Sequence, residues 1–328
     1  MIDLEDHYPA VVERLVDGKV TPFLGAGVNL ALPGRPNEVP WERGKLLPSG
    51  SELAQELVTE FDYPLKTGEQ PDLLRVAQFA SLKKDPGALY DWLRDLFDGD
   101  YPPTPVHEFF ARLPGMLREK GYPRRNLLIV TTNYDDALER AFAAAGEPCD
   151  VVWYAADGPW RGLFWQWPDW PNGDPPEKPI EDPTLCRELS TERRTVILKI
   201  HGAVDRKEEA SERDSFVITE DHYIDYLTKT DLSRVPLMLA KTLRTTSFLF
   251  LGYSLSDWNM RAFMHRIWNQ RNVQRMSWSI QFDASDLEKT FWANREVEIH
   301  NISLVDYIGE LERHVSVLEA IAPAVPAA

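Results

Sequence analysis

The sequence predicts an α/β fold, a parallel sheet with helices on both faces. Three observations carry that prediction. Strand-like and helix-like segments alternate along most of the chain, the arrangement that layers helices over a parallel sheet. Leu127-Leu128-Ile129-Val130-Thr131 is an unbroken apolar, β-branched run, as expected of a strand buried on both faces. Four strand ends, far apart in sequence, carry small or polar residues, and in such sheets ligands bind beyond the carboxyl ends of the strands.

In chain order, Leu4, Tyr8, Val11 and Leu15 recur at helical spacing, so residues 4–17 read as an amphipathic helix closed by Gly18. Val20 to Leu24 is a short strand, although Pro22 is awkward for a central one because it cannot donate to the ladder. A long Pro- and Gly-bearing loop spans Ala31 to Gly50, and loops of that size are usually functional. Residues 51–118 read as helical, with breaks near Pro64, Pro71, Pro86 and Tyr101-Pro102-Pro103. After the 127–131 strand, Asp136 to Ala145 forms a helix stopped by Gly146.

Residues 151–186 are unusual. Five of the eleven tryptophans and seven of the 25 prolines fall between 153 and 183, a composition that argues against a regular helix or a central strand and reads as an insertion. Its aromatics either pack on the core or face a partner or ligand. Regularity resumes with a strand from Thr195 to Ile200, a charged run from Asp205 to Asp214 expected to be a solvated hairpin tip, and a short strand Phe216-Val217-Ile218. A helix from Thr219 follows, then a strand from Ser247 to Leu251 and a helix from Trp258 onward. Strand 277–282, helix 285–294, strand 297–301 and a helix from Leu304, with Ser303 and Asp306 resembling a capping box, complete the pattern. Residues 322–328 read as a frayed tail.

Composition narrows the function classes. The 328 residues are 43% hydrophobic and 27% charged, as in an ordinary globular protein. Acidic residues outnumber basic ones by 52 to 36, and a net charge of −16 argues against an autonomous nucleic-acid binder or docking on anionic lipid. Two cysteines, Cys149 and Cys186, build neither a disulfide framework nor a four-thiolate zinc site. The acidic start lacks a signal peptide's basic region and no apolar run approaches the ~20 residues of a membrane span. A cytoplasmic setting is the expectation.

Each strand end supports two readings. Gly25-Ala26-Gly27 lets backbone amides approach a phosphate, or simply makes a tight turn. Asn133 stands where a strand turns toward a helix: it would hold a ribose hydroxyl or a water, or cap the helix. Asp135 would accept from a carboxamide, or favour the helix N-terminus. His201 ends an apolar strand beside Gly202, and histidine as a residue type suits proton transfer near neutral pH. Gly252 and Ser254 offer close approach and a hydroxyl, while Ser256 or Asp257 would cap the following helix. The signatures of P-loop hydrolases, zinc proteases and serine hydrolases are missing from the sequence.

Taken in this order, the segments resemble the sirtuin (silent information regulator) superfamily. Phe23-Leu24-Gly25-Ala26-Gly27 resembles its phosphate-binding turn, and Thr131-Thr132-Asn133-Tyr134-Asp135 its Thr-Gln-Asn-Ile-Asp segment. Leu198-Lys199-Ile200-His201-Gly202 resembles the strand ending in the catalytic His-Gly, and Gly252-Tyr253-Ser254-Leu255 the Gly-Thr-Ser-Leu that holds the far ribose and phosphate. The departures are also informative. The zinc module of deacylating sirtuins cannot be made from two cysteines. Thr132 replaces Gln, the interval from Asn133 to His201 is several-fold longer, and Gly34-Arg35-Pro36-Asn37 stands in poorly for Gly-Ile-Pro-Asp-Phe-Arg. The pattern is most similar to bacterial sirtuin-like domains that hydrolyse NAD in antiphage defence.

The resemblance implies a Rossmann-like core at 18–50, 125–150 and 195–303 within one domain, a helical insertion at 51–124, a Trp/Pro-rich insertion at 151–194, and a C-terminal helix and tail at 304–328. It implies an NAD+ glycohydrolase, with NAD as substrate and no metal. Asn133, His201 and Asp135 would be catalytic. Gly25, Ala26, Gly27, Thr132, Gly252, Ser254 and Asp257 would bind the dinucleotide. It further implies a homo-oligomer, or a partner such as a HerA-type ATPase or a short Argonaute. The rival readings are an NAD-dependent protein deacylase and a non-catalytic sensor of NAD or ADP-ribose.

Overall fold

The computed structural model describes residues 4–321 except 36–37, 124, 187–188, 207–212, 230–234, 256–260, 262–263, 266 and 268–274. An eight-stranded sheet organises them. Its strands are β1 (Val20–Leu24), β2 (Leu128–Thr131), β3 (Cys149–Tyr154), β4 (Phe164–Trp170), β5 (Thr195–Lys199), β6 (Ser247–Leu251), β7 (Ser277–Gln281) and β8 (Val297–Asn301). They lie in the order β4-β3-β5-β2-β1-β6-β7-β8. Every neighbouring pair is parallel except β3–β4.

Helices cover both faces, as the alternation predicts. Alternate residues of each strand point to opposite sides. Ile129 and Leu249 therefore join one core, with α1 (Leu4–Val16), α5 (Pro105–Glu119), α6 (Ala137–Ala144) and α10 (Leu304–Ser316). Val130 and Phe250 join the other, which draws on α7 (Glu220–Lys229), α8 (Leu237–Thr245) and α9 (Asp286–Ala293). A third apolar cluster belongs to α2 (Gly50–Glu60), α3 (Leu73–Lys83) and α4 (Pro86–Phe97), where Leu57, Val76 and Leu93 are fully buried. Local sequence starts these helices: Ser49 and Glu52 form a reciprocal capping box on α2, Asp72 and Asp85 cap α3 and α4, and Pro86 opens α4.

Four expectations need correction. Pro22 does lie in an interior strand. Pairing of β1 with β2 involves Phe23 and Leu24 only, and the amide of Gly25 donates to Leu251 of β6. By strand alternation the Pro22 nitrogen faces β2, where the register sets Pro22 opposite Ile129, and the β1–β2 ladder begins only at Phe23, so the proline shortens that ladder while the β6 side stays paired. The Trp/Pro-rich segment is not excluded from the sheet. Residues 149–154 form an interior strand buried throughout, and β4 is its antiparallel edge partner. Pro168 is tolerated because β4 is an edge, where its position is exposed. Trp153, Trp165 and Trp167 bury their rings in the core, so the aromatic density is packing material.

Phe216–Ile218 is extended but belongs to no strand of the sheet. Instead its backbone pairs with the segment after β5, the amides of Ser215 and Val217 donating to the carbonyls of Ala203 and His201. At the ends of the charged run Asp205 is buried and Asp214 half-buried rather than solvated. Asp205 is 5% exposed and receives Arg213 at 2.6 Å, while residues 207–212 of the run lie outside the described residues. The expected start of a helix at Trp258 and the tail at 322–328 also lie outside them.

Candidate active site

The strands bearing the four polar ends, β5, β2, β1 and β6, are consecutive in the sheet. From β1 the sheet extends one way through β2 and the other through β6, so the carboxyl end of β1 marks the point where strand order reverses. A crevice is expected there. One is present, a cleft of about 390 Å³ lined by Ala26, Gly27, Thr132, Asn133, Asp135, His201, Gly252 and Ser254. A second, of about 460 Å³, opens beside it among the ends of β6, β7 and β8 and the start of α10. Gly27, Gly252, Tyr253 and Ser254 border both. Each has the volume of an ordinary small-molecule pocket.

Asn133 is 8% exposed. Its amide N–H donates to Thr131 Oγ1 at 3.0 Å, and its Nδ2 reaches the Gly25 carbonyl at 3.5 Å. Oδ1 has no hydrogen-bond partner. The capping alternative for Asn133 fails: α6 starts at Ala137, and the side chain that receives its first amide is Asp135, at 3.1 Å. Asp135 is buried, and burial pushes its carboxyl above the usual range while Lys199 opposes the shift. His201, 6% exposed, lies edge-on to Tyr223 and Tyr226 at 5.3 and 5.9 Å between ring centres. The Thr132 amide donates to Leu24 at 3.2 Å, which ties the β2 end to the β1 end.

The glycines act by close approach. A Cβ on Gly25 or Gly27 would lie 2.5 or 2.6 Å from the Gly252 carbonyl oxygen. Their amides are already committed, Gly25 to Leu251 and Gly27 to Gly252. What Gly25 and Gly27 offer a bound phosphate is therefore space rather than donors, and Gly25 borders neither pocket. Ser254 is exposed at the junction of the two. Asp257 lies outside the described residues. Arg35 is held as a fork on Glu52, at 2.8 Å twice, and borders the second pocket; Pro36 and Asn37 lie outside the described residues.

Several lining residues escape sequence reasoning. Asn29, two residues past Gly27, donates Nδ2 to the Pro48 carbonyl at 2.9 Å, leaving its buried Oδ1 without a partner. Ser49, Gly50 and Ser51 at the start of α2 form one wall, and the Ser49-x-x-Glu52 pattern is the signal that would have found them. Tyr223 carries no such signal. Outside the cleft, beside a smaller pocket of about 70 Å³, Lys199 and Glu139 form a buried ion pair at 2.7 Å. Among the described residues no group of three or more His, Cys, Asp or Glu is placed to hold a metal ion, and no helix is long and apolar enough to cross a membrane.

This geometry defines an α/β protein whose site straddles the switch point of a parallel sheet. The SIR2-like domain family matches residues 127–300, more than half of the chain, and the chain belongs to that family. It is 24% identical over 324 residues to defense-associated sirtuin 2 of Bacillus subtilis, covering 95% of this chain and 26% of that protein. It is 26% identical over 260 residues to NAD(+) hydrolase ThsA of Acinetobacter baumannii (strain 532279), covering 78% of this chain and 41% of that protein. The chain thus spans well under half the length of these curated relatives.

Proposed function

We propose that the protein is an NAD+ glycohydrolase that depletes NAD in antiphage defence. The observation that carries this reading is that Asn133 and His201 border one cleft, which shares Gly252 and Ser254 with a second pocket beside it. The names of the two relatives, a defence-associated sirtuin and an NAD hydrolase, support the same reading.

The bond to nicotinamide carries a cationic leaving group, so the site must hold the ribose, tolerate an oxocarbenium-like centre and aim a water at C1′. In the proposed step the water oxygen bonds to C1′ and the bonding pair leaves with nicotinamide. The water proton passes to His201. General base catalysis of this kind is worth about 10²–10⁴-fold. Asn133 Oδ1 lacks a donor, and a ribose hydroxyl or the attacking water would supply it. Asp135 would hold the carboxamide. Ala26, Gly27 and Thr132 would border the pyrophosphate, with Gly25 behind them allowing the close approach of Gly252, while Gly252 and Ser254 hold the adenosine side. Asp257 is assigned to that side by the sequence resemblance alone. Nicotinamide and ADP-ribose are the products.

Purified protein incubated with NAD, and nicotinamide quantified by chromatography, tests the reading. His201→Ala and Asn133→Ala should each reduce release by about 10²-fold or more, with unchanged circular dichroism. Full activity in His201→Ala would contradict the assigned base. Control by assembly, as a homo-oligomer or beside a HerA-type ATPase or short Argonaute, belongs to the same proposal. It predicts that specific activity rises with protein concentration or on adding such a partner; a constant rate in a strict monomer would contradict it.

A further inference from the structure

β5 runs through buried apolar residues and then ends in a lysine that is itself 1% exposed. The Lys199 ammonium donates to the backbone carbonyl of Asp135 and, at 2.7 Å, to Glu139 Oε1. Glu139, 3% exposed, lies on the first turn of α6. In the sheet, Lys199 is the register partner of Thr131 at the end of β2. One side chain therefore joins the end of β5 to the segment that follows β2. His201 lies two residues beyond Lys199, and Asn133 two residues before Asp135, so both lever arms are short.

Stability alone is a poor reason for this pair. Removing two charges from water costs several kcal/mol per ion, and apolar residues of similar volume often serve as well or better. What apolar residues cannot supply is a donor for the Asp135 carbonyl. The neighbouring cation, Arg206, is engaged by Asp98, Asp100 and Asp136 and does not substitute.

We propose that Lys199 is a positioning residue for nicotinamide–ribose cleavage, its ammonium clamping the Asp135 carbonyl and Glu139 so that Asn133 stays in register with His201. The proposal rests on the hydrolase reading above. It concerns geometry, where a displacement of about 1 Å is able to cost 10²-fold.

Three variants test it: Lys199→Met, Glu139→Gln, and both together. Each single variant strands a buried charge, so its Tm should fall. The double variant carries no stranded charge and should recover most of that Tm. Its kcat should nevertheless stay about tenfold or more below wild type with KM little changed, and the amides of residues 132–136 should exchange faster with deuterium. A double variant with wild-type kcat and unchanged exchange would overturn the proposal, leaving the pair a packing feature. If wild-type protein releases no nicotinamide, the hydrolase reading fails on its own. Exchange at 132–136 then decides the clamp: faster exchange in the double variant supports it, and unchanged exchange overturns it.

Discussion

Gly252 sits at φ 62°, in the region that side chains rarely adopt, and a Cβ there would strike the backbone of Gly27 and Val28. Gly252→Ala is therefore expected to cost about 1–3 kcal/mol and to push the 25–28 turn into the cleft, weakening NAD binding. Urea unfolding with calorimetric titration checks this; an equally stable variant with unchanged affinity would contradict it. The residues legible in the sequence, Asn133 and His201 above all, are polar groups that interrupt or end an apolar strand run. Lys199 closes such a run, but a lysine at the end of a strand reads as a solvated terminus, so the sequence carries no sign of its burial. Its burial depends on α6 folding over it. Asn29 was hidden similarly, since an asparagine in a turn has many local explanations and its exposure is set by Pro48, which lies across the cleft wall.

Helices and most strands follow from periodicity and caps, which are local signals. The elements misread are those whose environment is supplied by a distant partner. β3 is interior because β5 and β4 flank it, and neither neighbour is encoded within 149–154. Phe216–Ile218 has strand-like composition, but it pairs with the turn after β5 instead of joining the sheet. Two helices also carry a pH dependence. His107 on α5 accepts the Thr104 amide at Nδ1, at 3.0 Å, and burial lowers its pKa to about 3, with Lys199 and Arg140 adding to the effect. His7 on α1 is likewise lowered to about 3, by burial and then by His300. Both are neutral when folded, whereas the unfolded chain takes up protons below about 6.5. Stability should be full above pH 6.5 and fall toward pH 3, by up to about 1.4 kcal/mol per pH unit for each histidine. Chemical denaturation between pH 7.5 and 5 measures this, and His107→Gln should flatten the slope. A stability independent of pH over that range would contradict the burial of these rings.

At the scale of the molecule, alternation implied a parallel sheet but not its strand order. That order matters most, because it makes β5, β2, β1 and β6 neighbours and brings Gly27, Asn133, His201 and Ser254 to one rim. The third apolar cluster, contributed by α2, α3 and α4, also receives Tyr134 and Phe216, and Leu53, Leu73 and Phe97 of these helices border the cleft. Ser49, Gly50 and Ser51, at the start of α2, border the same cleft as Asn133 and His201. The central question is what this cleft does to the nicotinamide–ribose bond. Wild-type protein is incubated with NAD, with and without an acetylated-lysine peptide, and nicotinamide, ADP-ribose and acetyl-ADP-ribose are quantified together. The expected result is equimolar nicotinamide and ADP-ribose, independent of the peptide. Release that requires the peptide and yields acetyl-ADP-ribose, or tight NAD binding with no release in any assembly state, would contradict it.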